Sequence, residues 1–341
     1  MEIFAVMPSK RWVVAASCAL LPAVSVAGGL GIGTLEGTYD TGGSPAPVKG
    51  YIAIVELARD LVPAATEPDG TQCSRVAPLH RESTVAWQMK HRMLLAINAG
   101  FFWMPAHDVP DCQLPPYPYK ANSFQRSLPK LSGHAPAILG LTTNGASEIS
   151  YADNFDADRF NVIVSGDWVR DKDGSVVHRE LLVDGDRENP TLDLAPRMAV
   201  GVQKETGRLI VVMIEGRQTD SKGLSLKGLA SLMRACGVSD AINLDGGGSA
   251  TFSYAPDLQP AAVTALKPIA LSSVCNADGL MRGGLALTIT QHPLEKSLRS
   301  SAPGGREASD ANMDKGYRRV LTNLGFRFNG PARRELSEPA Q

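Results

Sequence analysis

The sequence predicts a single domain of the α+β (or α/β) class, with a mixed β-sheet core and packed helices. Short apolar runs recur at 51–57, 93–98, 137–142, 160–165, 197–202, 208–214, 240–244 and 285–289. Several are continuous rather than alternating, as strands buried on both faces are. The stretch "SLKGLASLMRACG" carries a helical pattern. Ser225 caps it, Leu226, Leu229, Leu232, Met233 and Cys236 form the apolar stripe, and Gly237 ends it. At 341 residues, with 43% hydrophobic and 20% charged residues, the chain is long and apolar enough for a sizeable core.

Taken in order, the chain opens with a processing segment over residues 1–27. Lys10 and Arg11 precede the apolar run from Trp12 to Val26, and Ser25-Val26-Ala27 offers small residues for cleavage. The run is short for a membrane span of about 20 residues, so export to the periplasm or beyond is expected, without stable membrane insertion after processing. Residues 28–49 are rich in Gly, Ser and Pro and read as a linker. The "GLGIG" inside them lacks the following helix and acidic residue of a dinucleotide fingerprint. The domain proper is expected over 50–291, with a second, weaker helix at 83–92. From Pro293 the chain becomes polar and irregular, so 292–341 reads as a flexible tail with a short helix around 316–324.

Removal of the leader leaves Cys73, Cys112, Cys236 and Cys275, an even set that allows two disulfides in an exported chain. Sequence order suggests Cys73 with Cys112 and Cys236 with Cys275. None lies in a CxxC pair, and His107 with Asp108 and Asp111 reads as a solvated loop. No metal or other cofactor is therefore expected. The formal net charge of −1 gives no basic excess, and no nucleic-acid partner is expected.

The chain carries no GxSxG elbow, HExxH or GxxxxGK[ST]. Carboxylates and arginines remain. Asp245 ends an apolar run and begins "DGGGS"; Glu215 ends another in "VVMIEGRQ". A plain Asp-Gly turn is the alternative for the first, and a surface charge at a strand end for the second. Arg197, Arg217 and Arg282 together would suit a clamp on an anionic group, since guanidinium forks match phosphate oxygens. "WQMKHRMLLAINAGFF" and "SLMRACGVSDAINLDGGG" share one order of helix, strand, Ala-Ile-Asn and glycine, so Asn98 and Asn243 each reach a glycine-permitted loop. Such a set suits departure of a phosphate from a sugar carbon that develops positive charge.

"INAGFF", "PRMAVGV", "EGRQTDSKGLSLKGLASLMRACG" and "INLDGGGSATF" stand in the order and spacing of the phosphodiester glycosidase family, which this chain resembles over roughly 52–289. The resemblance implies hydrolysis of a sugar–phosphodiester linkage, such as α-linked N-acetylglucosamine 1-phosphodiester, in envelope or extracellular glycans. It implies Asp245 and Glu215 as catalytic candidates. Asn98, Gly100, Arg197, Arg217, Ser221, Asn243, Gly246, Gly247, Gly248, Ser249 and Arg282 are the implied substrate-binding positions, for a carbohydrate or sugar-phosphate partner. Glu215 stands where the family more often has Asp, and Gly283 follows Arg282 where Pro is usual. The alternatives are a non-catalytic glycan-binding module of an envelope or exopolysaccharide system and a glycosidase for ordinary glycosidic bonds, which would need a protonated acid at the leaving oxygen.

Overall fold

The computed structural model describes residues 28–40, 44–58, 61–104, 110–126, 136–151, 155–166, 169–170, 176–178, 181–183, 187–188, 193–258, 264–265, 285–301, 313–314 and 317–329. The leader read over 1–27 and Cys275 lie outside them, as does Arg282. Among the described residues the protein is mostly β, with several antiparallel sheets and two α-helices, Thr84–His91 and Leu226–Ala235. The expected α+β (or α/β) class, with a mixed sheet and packed helices, is thereby corrected. Only a two-residue contact between Gly29–Leu30 and Thr264–Ala265 runs parallel among the described pairings.

Among the described residues the largest sheet has nine strands. Its middle runs Asp240–Leu244, Arg197–Val202, Leu209–Ile214, Ala46–Glu56, Gly29–Tyr39 in spatial order. The reason for the misread class lies in how this sheet is covered. Leu209, Val211 and Met213 enter one core with Leu95, Ile97, Phe252, Leu324 and Phe326 from a second sheet. Ile210, Val212 and Ile214 enter the other, with Leu226, Leu229, Leu232 and Met233 of the second helix. A strand between another sheet and a helix reads as continuously apolar whatever the direction of its neighbours. The run reports two-sided burial, not parallel pairing.

Both helices begin at a serine cap, the expected one at Ser225 and another at Ser83. The Ser83 side chain accepts from the Ala86 amide, and the Ser225 hydroxyl accepts from the Gly228 amide at 2.9 Å. The termini depart further from expectation. Gly29–Tyr39 is a strand of the large sheet rather than a linker, paired along its length with Ala46–Glu56. Its glycines serve packing: a Cβ at Gly33 would lie 2.8 Å from the Ile289 side chain, and one at Gly37 would meet the Ala286 carbonyl. Part of the supposed tail is also sheet. Asn323–Phe328 lies between Leu61–Ala65 and Leu95–Asn98, with Leu324 and Phe326 fully buried. Tyr317–Val320 is a strand where a helix was expected. "NLGFRF" alternates with period two, a strand signal that the polar surroundings obscure.

Cys73 and Cys112 form a disulfide. Cys236 is a buried thiol at the C-terminal cap of the second helix, where burial pushes its pKa up to about 12; the expected bridge from it to Cys275 falls outside the described residues. No described helix is long and apolar enough to cross a membrane.

Candidate active site

Antiparallel pairing gathers the predicted groups at one end of the large sheet. Arg197 pairs with Ile214, and Met198 with Leu244. Asp245 and Glu215 therefore leave the sheet at the same edge on either side of Pro196, with backbones about 10 Å apart at ordinary strand spacing.

Asp245 is partly exposed and its backbone is held from the second sheet. Its amide donates to the Ala99 carbonyl at 3.0 Å, and Asn98 Nδ2 donates to its carbonyl at 2.5 Å. Asn98 Oδ1 accepts the Thr251 amide at 2.9 Å. Fully buried, Asn98 is thus a brace across the mouth of the turn, and the two "Ala-Ile-Asn" ends do meet. Gly100 is buried beside it, its carbonyl accepting from the Thr322 hydroxyl at 3.2 Å.

The glycines that follow have a structural cause. A Cβ at Gly246 would stand 2.7 Å from the Pro196 carbonyl oxygen, so the chain closes there only without a side chain. Gly247 has φ +57°, and a Cβ on it would lie 3.3 Å from the Arg217 guanidinium. Its amide donates to the Pro196 carbonyl, and the Ser249 and Ala250 amides donate to Gly246 and Gly247. These amides are spent within the chain. Approach of Pro196 and Arg217 accounts for Gly246 and Gly247. Gly248 and Ser249 complete the short 3-10 turn, both buried.

Two guanidinium groups face this turn. Arg217 is exposed, in a left-handed conformation at φ +61°. Arg318 is 9% exposed, and its Nη1 donates to Ser249 Oγ at 3.3 Å and to Met104 Sδ at 3.8 Å. Burial lowers the Arg318 pKa; the charge of Asp245 opposes that and the charge of Arg217 adds to it, so the three share one field.

Glu215 has different company. Its Oε1 accepts from the Tyr51 hydroxyl at 3.1 Å and from the Ser300 hydroxyl. Burial, then the Glu215 charge, pushes the Tyr51 pKa up to about 12, so the phenol stays a donor well into alkaline pH. Ser221, fully buried, donates to the Glu215 carbonyl at 2.8 Å and accepts the Lys49 amide at 3.0 Å, bracing the turn that carries Arg217.

The side chains of Arg197 and Asn243 are turned to other surroundings. Arg197 donates to the main-chain carbonyls of Leu224 and Asp193, at 3.0 and 2.7 Å. Asn243 sits between Ile242 and Leu244 of the sheet-facing core, so it points to the helix side. Its buried Oδ1 has no hydrogen-bond partner. Arg318, Tyr51 and Ser300 were missed. Arg318 and Ser300 come from the supposed tail, and Tyr51 was read only as part of a strand.

A β-rich protein with a carboxylate at a glycine turn, arginines beside it and a second carboxylate two strands away defines a class suited to an anionic sugar derivative. The sequence pattern of the phosphodiester glycosidase family matches residues 91–272, just over half the chain, and the chain belongs to that family. A stretch of 59 residues is 49% identical to mouse N-acetylglucosamine-1-phosphodiester alpha-N-acetylglucosaminidase, covering 17% of this chain and 11% of that protein. The catalytic domain of the zebrafish protein of the same name, auto-inhibited by its pro-peptide, superposes with TM-score 0.50 and 25% identity, over 66% of this chain and 73% of that one. A hypothetical protein from Synechocystis aligns with TM-score 0.47 and 13% identity, over 87% of this chain and 62% of that one.

Proposed function

We propose that this protein is an exported hydrolase that cleaves the bond between a sugar, such as α-linked N-acetylglucosamine, and the phosphate of a phosphodiester in envelope or extracellular glycans. The observation that carries the reading is the corner at Asp245, where a strand-end carboxylate, a glycine turn and the guanidinium of Arg217 meet. Family membership supports the reaction class, and the Cys73–Cys112 disulfide fits an oxidising compartment.

In the reaction a water oxygen bonds to the anomeric carbon while the carbon–oxygen bond to phosphorus breaks. The phosphate monoester leaves with the bonding electrons, and the water gives its proton to a carboxylate. Because the leaving group departs as an anion, cations placed on it lower the barrier more than a strong acid would. Asp245 is the first candidate to stabilise or attack the sugar cation. Glu215, held by two hydroxyl donors, is the candidate base for water. Arg217 takes the phosphate. Asn98 orients Asp245 through its backbone.

The purified full chain should release N-acetylglucosamine from its α-1-phosphodiester and leave a simple aryl α-N-acetylglucosaminide nearly intact. Equal turnover of both would instead favour a glycosidase for ordinary bonds. Binding of both without turnover would favour the glycan-binding module.

A further inference from the structure

Arg318 lies outside residues 91–272, which match the family, and belongs to a strand that sequence patterning alone does not place near any site. We propose that Arg318 is a substrate-contacting residue, the buried half of a two-arginine clamp on the phosphoryl group of the scissile linkage, with Arg217 as the exposed half. The proposal rests on the phosphodiester reading of the same corner.

Its geometry is fixed from several sides. Tyr317–Val320 pairs with Met313–Asp314 and with Glu82–Ser83. The neighbouring side chain, Arg319, is tied by Nη2 to Asp111 Oδ1 at 2.6 Å, and Asp111 also receives Arg81, which is 1% exposed. Just beyond the strand, the Thr322 carbonyl accepts the Ala99 amide at 2.9 Å, and the Ala99 carbonyl accepts the Asp245 amide. Arg318 is thus registered to Asp245 through a short chain of main-chain bonds, the kind of rigid support that a binding group requires.

The charge arrangement supplies the second argument. Arg318 and Arg217 approach the Gly247–Ser249 turn together, one through Ser249 Oγ and the other over Gly247. Each raises the electrostatic cost of the other, and burial adds to it for Arg318. Asp245 offsets part of that cost. A phosphodiester brings one further negative charge and planar pairs of oxygens that match a guanidinium fork. A cation already desolvated binds that charge more strongly than one in water.

The bland account is that Arg318 merely pins Ser249. It predicts that substitutions act on stability and on all substrates alike. Inorganic phosphate is the probe, titrated into the full chain by calorimetry for wild type, Arg318→Gln and Arg318→Lys, beside thermal melts. Arg318→Gln should weaken phosphate by about tenfold or more, as loss of a charge-assisted bond does. Its kcat/KM on the phosphodiester should fall about 10²-fold, the scale of one lost oxyanion donor, and at least tenfold less on the aryl glycoside. Arg318→Lys, which keeps the charge but not the fork, should fall between, and it decides the matter should the Gln variant not fold. Unchanged phosphate affinity in both variants, or equal losses on the two substrates, would overturn the proposal. Arg318-dependent phosphate binding in a protein that hydrolyses neither substrate would uphold the clamp while sinking the functional reading.

Discussion

Asp245 and Glu215 follow two buried strands that flank Arg197–Val202 at one end of one sheet, yet their surroundings differ in kind. Asp245 shares an electrostatic field with Arg217 and Arg318 and leads into a turn that admits no side chain at Gly246. Glu215 is held by uncharged hydroxyls, from Tyr51 and Ser300. The first corner concentrates positive charge, which suits an anionic substrate; the second fixes one carboxylate oxygen in direction, which suits a group that must take a proton from water. Equivalent strand ends thus acquire different chemistry from what the rest of the chain brings to them.

The comparison breaks most readily at its charged side. Asp245→Asn should lower kcat on the phosphodiester by about 10³-fold, within the range for a lost acid–base or nucleophilic group, in a variant that stays folded at the assay temperature but melts somewhat lower, because the charge that offsets Arg318 and Arg217 is gone. Gly246→Ala forces a Cβ to within 2.7 Å of the Pro196 carbonyl oxygen. It should destabilise the fold by about 1–3 kcal/mol, visible in a denaturant titration, and lower activity through displacement of Asp245. Glu215→Gln should cost less than Asp245→Asn, about 10²-fold in kcat, with KM little changed; equal losses would mean that the two carboxylates act as one unit.

The smallest effects sharpen the Glu215 side. Tyr51→Phe removes one hydroxyl donor and should cost about 1 kcal/mol, with a modest loss of kcat. The pH dependence has a definite sign. Tyr51 titrates near 12 when folded, against its ordinary value of 10.0, so between those values the unfolded chain holds fewer protons than the folded one. Stability contributed by this phenol is present below pH 10 and is lost as pH climbs toward 12. Tyr254 shares that window, since burial also pushes it up to about 12. Tyr51→Phe should therefore make the alkaline fall in Tm shallower without abolishing it.

Much of this was legible in the sequence. The strands Arg197–Val202, Leu209–Ile214 and Asp240–Leu244 and the cap at Ser225 follow from local patterning, and "INLDGGGSATF" marked the corner. What escaped depends on the distant chain. Two-sided cover makes an antiparallel strand look like a parallel one. Glycine in Gly29–Tyr39 meets the need of a neighbouring strand, which composition cannot distinguish from flexibility. Ser300 lies 85 positions from Glu215, and Tyr51 lies 164 positions away; no local pattern relates them. Asn98 and Ser221, read from the sequence as substrate-binding positions, bond to the Asp245 and Glu215 carbonyls and so brace the two corners.

The central claim is that Asp245, at the glycine turn, is where the sugar–phosphate bond is broken. The most direct test is the rate of N-acetylglucosamine release from an α-1-phosphodiester by wild type and Asp245→Asn, each at saturating substrate and each shown by its melt to be folded. The account predicts release by wild type and a loss of about 10³-fold in the variant. Release at the wild-type rate by folded Asp245→Asn would contradict it.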